Sequence, residues 1–252
     1  MSWSSKRKNR YVGGLFLIIL VIIIVISYKV FYTAPTCFDG KINQDEEGID
    51  CGGSCDLICS FNTVDLTIRW YRMVETTDGV YGAVAMIENA NIYTEASNVP
   101  YIFKLYDKEG ILITEKHSEA FIPNNLIFPI FEGNLMVGNR IPDKVTFEFK
   151  EKPVWKHVEN LSSPIALSNI RYVEKNNSPR ILATIKNESV KDLKNLELIV
   201  LLYDIDANLI NSSKTTIDTL RKDSSESLIF TWSELFEKKV VKIDIIPVSK
   251  LN

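Results

Sequence analysis

Four cysteines and a crowd of oxygen-bearing side chains share one short stretch. Cys37, Cys51, Cys55 and Cys59 are the only cysteines among 252 residues, and Asp39, Asn43, Asp45, Glu46 and Asp50 lie between them. Two chemistries suit such a set. In an oxidising compartment the thiols close into disulfides, and four of them allow three connectivities that spacing alone does not separate. The oxygens are candidate ligands for a hard cation, since calcium takes six to eight of them. The glycine and terminal glutamate of an EF-hand loop are out of place here. Zinc fits less well, because Cys51, Cys55 and Cys59 are spaced by four and Cys37 stands far upstream, whereas structural zinc uses paired short knuckles. Disulfides alone are the first reading, disulfides with calcium the second, zinc the third.

The rest of the chain offers little else that reacts. His117 and His157 are the only histidines; His117 lies among charged residues in EKHSEA and His157 in VWKHVEN at the seam between two repeats, and each is read as an exposed strand or linker residue. A general base needs a positioned partner. There is no glycine-rich phosphate loop, HExxH helix or Gly-x-Ser-x-Gly elbow. The expectation is a non-enzyme. The sequons at Asn160, Asn176, Asn187 and Asn211 are read as incidental.

Location comes from the N-terminus. The stretch 11–28 (YVGGLFLIILVIIIVISY) carries no charge and directly follows Lys6, Arg7, Lys8 and Arg10. An apolar run of this length can cross a bilayer as a helix. Only Lys29 follows it closely, so the positive-inside bias puts the N-terminus in the cytoplasm and the remainder outside. A cleaved signal peptide is the rival, but no A-x-A-like site follows, and the residues before Cys37 lack the leucine of a lipoprotein box. Beyond the anchor the chain holds 24 basic and 32 acidic residues, a net charge of −8. That balance argues against nucleic acid, whose binders need basic stripes.

After Asn62, short alternating apolar segments broken by turn residues replace any helical period. TVDLTIRWYRM, YIFKLYDKEG and KVTFEFK carry the period-two signal of half-buried strands. The chain also repeats itself at an offset near one hundred residues. Met86–Asn91 is answered by Thr184–Ser189, Asn98–Asp107 by Asn195–Asp204, and Ile68–Arg69–Trp70 by Ile170–Arg171–Tyr172. The seam falls near Asn160–Pro164. About one hundred residues with some seven short strands is the size of an immunoglobulin-like sandwich. The expected organisation is a tail at 1–10, an anchor helix at 11–32, a cysteine-rich segment at 33–61 and β-sandwiches at 62–160 and 161–252. The fold class is therefore mainly β: two tandem immunoglobulin-like sandwiches behind one membrane helix and a small disulfide-rich segment. Tyr106 and Tyr203 are read as corner residues whose hydroxyls cap nearby backbone. Gly110 supplies the positive φ of the turn after Asp107, with Asn208 as its substitute in the second copy. The run around Ile199–Leu202 is left open between an edge strand fit for β-augmentation and a central strand.

Two resemblances accompany these readings. Cys37-x-Asp39-Gly40-x-x-Asn43-x-x-Glu46-x-Gly48-x-Asp50-Cys51-Gly52-Gly53-x-Cys55 resembles a short cysteine-rich motif of bacterial and other surface proteins, and implies exposure outside the cell. The stretch from Ile185, with Lys186–Asn187, Leu193 to Leu196 and Leu202–Tyr203–Asp204, resembles the FxLYD domain of bacterial and archaeal surface proteins. The first repeat keeps Leu105–Tyr106–Asp107 as a more divergent cousin. That family implies an immunoglobulin-like sandwich at the cell envelope and brings no catalytic residues. Two functions follow as expectations. One is an envelope protein displaying two sandwiches for adhesion, assembly or support of a protein partner at the cell surface. The other is an accessory subunit or sensor whose cysteine loop binds calcium.

Overall fold

The computed structural model describes residues 3–31, 36–43, 45–158, 165–175 and 178–248, with helix side chains from Tyr11 to Lys29. The expected seam at Asn160–Pro164 and the sequons at Asn160 and Asn176 lie outside these. Helix α1 (Trp3–Phe31) begins before the basic block and takes it in. Its window Tyr11–Lys29 is long and apolar enough to cross a membrane, and none of it is buried by the protein. Nineteen helical residues rise about 28 Å, close to the hydrocarbon thickness of a bilayer. Contacts divide the chain into two compact units, Met1–Cys55 and Asp56–Asn252. The division falls just before Asp56, where the sequence placed the end of the cysteine-rich segment at 61.

Among its described residues the second unit is β apart from a single turn of 3-10 helix at Ser60–Asn62. Its first repeat contains β1 (Thr67–Thr77), β2 (Val80–Asn89), β3 (Thr94–Tyr106), β4 (Leu112–Ile122), β5 (Leu126–Met136) and β6 (Lys144–Phe149). A short β7 (Lys156–His157) extends the β6 side of β3. The second repeat contains β8 (Ile165–Lys175), β9 (Ser178–Asn187), β10 (Leu193–Tyr203), β11 (Leu209–Leu220), β12 (Ser225–Thr231) and β13 (Lys242–Val248). In the first repeat the sheets run β1-β2-β5 and β4-β3-β6, all antiparallel. In the second they run β8-β9-β12 and β11-β10-β13. Each of β1 to β6 thus has its counterpart among β8 to β13, in the same sheet position, and β7 has none. The hundred-residue sequence repeat is a topological repeat.

Local backbone devices repeat with it. Asn98 and Asn195 both adopt a left-handed conformation, φ 56° and 50°, near the start of β3 and of β10, and at Asn98 the register to β4 shifts between Ala96 and Val99. Asparagine tolerates this region better than most residues, so it suits a bulge that re-aims a strand. The bulges of β1 and β8 do not coincide: one lies between Ile68 and Trp70, the other between Ser168 and Arg171. Strand pairing therefore matches Arg171 with Arg72, because Arg72 faces Val84 and Arg171 faces Leu182. The alignment of Arg171 with Arg69 read from the sequence is corrected by this register. A bulge shifts residue count without shifting the ladder.

The repeats are not two separate beads. One core cluster lies within the second sandwich and includes Ile181, Ile185, Leu196, Leu198, Val200, Leu202 and Phe230. The other fills the first sandwich with Ile87, Phe103, Phe128 and Phe147, and also takes in Ile199, Leu201, Tyr203 and Val248 from the second repeat. Strand β10 explains this. Leu198, Val200 and Leu202 point into its own sandwich, while Ile199, Leu201 and Tyr203 point at the first repeat. A strand covered on both faces reads as a continuous apolar run. It is central, paired on both sides to β11 and β13, so the edge-strand reading and its β-augmentation are excluded. Facing it is the outward side of the β1-β2-β5 sheet. Arg72 there donates to the Ala207 carbonyl oxygen at 3.2 Å, and Asn211 donates to the Glu75 carbonyl oxygen at 3.4 Å. Within that sheet Gly82 leaves room for the Phe131 ring, which a Cβ would crowd at 3.1 Å.

Candidate functional site

The cysteine segment is held by two kinds of bond. Cys37 joins Cys55 across 18 residues of chain. Cys51 and Cys59 are disulfide-bonded as well, and no free cysteine remains. Of the three possible connectivities, the Cys37–Cys55 link leaves one.

The second kind of bond engages the oxygens that the sequence offered to an ion. Asp50 accepts from the backbone N–H of Asp39 at 2.9 Å and of Gly40 at 3.1 Å. Asp39 accepts from Lys41 N–H at 3.0 Å and from the Asn43 side-chain amide at 2.8 Å. Glu46 accepts from Asn43 N–H at 3.2 Å, and Asp45 from the Ser54 hydroxyl at 3.0 Å. Too small for an apolar core, the segment uses its carboxylates as brackets between turns. Glycine completes the packing. A Cβ on Gly53, which has φ +58°, would overlap the Asp45 carbonyl oxygen.

Among the described residues, one trio of metal-capable side chains draws its ligand atoms within 4.8 Å: Cys37, Glu46 and Cys55. Two of its three members are joined as a disulfide, which leaves no thiolate to bind metal. Asp39, Asp45 and Asp50 do not join that trio, and Asn43 is spent between Asp39 and Glu46. A calcium ion would have to displace backbone hydrogen bonds before it gained six oxygens. We therefore expect calcium up to about 10 mM, above the dissociation constants of weak extracellular sites, to leave the melting temperature of the detergent-solubilised chain unchanged. A rise that grew with the logarithm of calcium concentration would show instead that the loop reorganises around the ion.

In the second unit the polar residues that matter sit at strand corners. Asn187 is fully buried. Its amide donates to the Lys191 and Leu220 carbonyl oxygens at 2.9 and 3.0 Å, and its oxygen accepts from Ser189 N–H at 2.9 Å. Asn89, its counterpart, donates to the Thr94 and Pro123 carbonyl oxygens and accepts from Asn91 N–H. Each asparagine ties the strand end before it to the close of the fourth strand of its repeat. Asn187 and Asn211 are both buried, so neither sequon is open to a glycan in the folded protein.

The LYD ends form one turn twice. Asp107 N–H donates to the Ile111 carbonyl oxygen, Gly110 N–H to the Asp107 carbonyl oxygen, and Ile111 N–H to the Asp107 carboxylate. Asp204, Ala207 and Asn208 repeat the scheme. The left-handed position is Gly110 in one and Ala207, φ 60°, in the other. The sequence reading gave that role to Asn208; the register of the hydrogen bonds assigns it to Ala207, while Asn208 donates its amide to Asp204 at 3.1 Å. Asp204 also accepts from Lys238 at 2.9 Å, and this bond, with those from Asn208, holds its carboxyl at about 2. The tyrosines differ from expectation too. Among the described residues neither Tyr106 nor Tyr203 caps a backbone group through its hydroxyl. Tyr203 presents its ring to the Lys242 ammonium at 5.2 Å, and burial pushes its phenol up to about 12.

The histidines stay apart. His117 contacts Glu115 at 3.1 Å on an exposed strand, and His157 stacks near Tyr93 at 6.2 Å. A short, part-buried acid–phenol contact joins Tyr101 to Glu132 at 2.6 Å, where burial raises the tyrosine first and the carboxylate second. It bridges the two sheets of the first sandwich and was not singled out by sequence, since neither residue stands in a motif.

No protein-family model matches this chain, and no curated protein matches it. Among solved structures, red sea bream transglutaminase aligns at 8% identity over 75% of this chain and 31% of its own, with a TM-score of 0.23. A β-glucuronidase from glycoside hydrolase family 2 aligns at 10% identity over 68% of this chain and 24% of its own, with a TM-score of 0.22. The chain spans about a third of the length of the one and a quarter of the other, and likeness at this level carries no argument about fold or activity.

Proposed function

We propose that this chain is a single-pass envelope protein. In this reading α1 anchors it with its N-terminus in the cytoplasm, and the β unit is displayed outside the cell without catalysis, for adhesion, assembly or support of a partner complex. The observation that carries the reading is the helix window Tyr11–Lys29, strongly apolar and wholly unburied by the protein itself. An apolar surface of that extent needs another solvent, and a bilayer supplies it. Four oxidised cysteines support an address outside the cytoplasm. The paired asparagine brackets and LYD turns support a place in the FxLYD family for both repeats, and that family's envelope setting supports the same address.

Protease added to intact cells, with immunodetection of a C-terminal tag, tests it. The expected result is loss of the C-terminal half with an N-terminal fragment protected, and a mass for the mature chain that retains residue 11. A protected C-terminus, a mature chain cut after the helix, or free thiols in a cytosolic fraction would each overturn the anchor reading.

A further inference from the structure

The joint between the repeats has no closing symmetry. The β1-β2-β5 sheet of the first repeat takes the outward face of the β11-β10-β13 sheet of the second. This is a heterologous contact, and such contacts leave one unfilled surface at each end. At one end stands the outward face of the β8-β9-β12 sheet, counterpart of the face that is filled in the first repeat. Strand register makes the counterparts explicit. Val74, Val84 and Phe131 correspond to Val173, Leu182 and Ile229, and Arg72 to Arg171. Val84 is 0% exposed and Phe131 8% under their cover, whereas Ile229 is 55% exposed and Ile170 beside it 40%. The same residues line a depression of about 530 Å³, bounded by Asn169, Arg171, Thr184 and Ser227. Arg180 adds a buried Nε with no hydrogen-bond partner, and Arg171 forms no ion pair among the described residues.

We propose that this face is a docking surface for a sheet of a partner protein, apolar at its centre and bearing carboxylates to meet Arg171 and Arg180. It rests on the display role above and names its surface and the chemistry it receives. The occupant follows from charge and from the existing joint. A second copy could offer the β4-β3-β6 face, the counterpart of the one docked inside the chain. There Lys104 stands where β10 has Leu201, and Lys104 and Lys150 pair with Glu148. Burying those ion pairs against isoleucine and leucine carries a desolvation cost that their attraction does not recover. Two copies meeting through the β8-β9-β12 face itself would set arginines against arginines. Both routes to self-association are closed, and a foreign sheet with opposite charge remains.

The test uses the full-length chain in its own membranes, with photoreactive p-benzoylphenylalanine in place of Ile229 and, as control, of His117 on the opposite outer sheet. The expected result is one adduct at position 229, absent at 117, whose cross-linked peptide is an alternating apolar strand with carboxylates. Its yield should fall about tenfold or more with Arg171→Glu and Arg180→Glu together, at an unchanged melting temperature. No adduct, an adduct at twice the chain's mass, a cross-linked lipid, or a yield indifferent to the charge reversal overturns the proposal. Fractionation of the same cells reads the anchor separately: a chain found in the membrane without an adduct sinks only the docking surface.

Discussion

Replacing Leu201 by lysine is expected to destabilise the β unit by more than about 4 kcal/mol, the range reached when an unpaired charge enters a core. Leu201 is fully buried at the joint, in the cluster that belongs mostly to the first sandwich. Lysine is what the first repeat carries at the matching position, Lys104, on a face that remains half open to solvent. The reverse change, Lys104→Leu, removes a partly exposed ion pair to Glu148 and should shift stability by no more than about 1 kcal/mol. Differential scanning calorimetry of the detergent-solubilised variants checks both. Because Leu198, Val200 and Leu202 face the other way, Leu201→Lys should divide one transition into two, with the environment of Trp232 surviving the first. A loss below about 1 kcal/mol, with a single transition kept, would mean that the sandwiches do not depend on each other's cover.

Asn187→Ala should cost about 3 kcal/mol. The substitution strips partners from the Lys191 and Leu220 carbonyl oxygens and from Ser189 N–H at a buried corner, and an unsatisfied buried group costs about 1–3 kcal/mol. Glu188→Ala, next to it but exposed, is the matched control. Urea unfolding measures the pair: the midpoint should fall for the first and stay within error for the second, at constant m. Equal midpoints would show that the bracket is replaced by water and contributes nothing to the corner.

The sequence carried the class of this molecule. Alternation bounded by turn residues announced strands, since a pleated strand presents every second side chain to one face. An uncharged run longer than a dozen residues announced the helix. The offset near one hundred announced the duplication, and the four clustered cysteines their own pairing into disulfides. Each of these signals is local, or repeats at a fixed interval, and needs no knowledge of what packs where. The positive φ at Ala207 escaped detection because alanine has no preference for it; the hydrogen-bond register of the turn imposed it. The candidate ion ligands were legible as oxygens but not as brackets, because whether a carboxylate meets a cation or a backbone N–H depends on where the chain places the amides around it. The meeting of the two sandwiches was hidden for a similar reason. A run such as Leu198–Tyr203 shows that both faces are covered, yet the identity of the cover is set by shape and charge across residues more than one hundred positions apart, and only the tertiary structure brings those together.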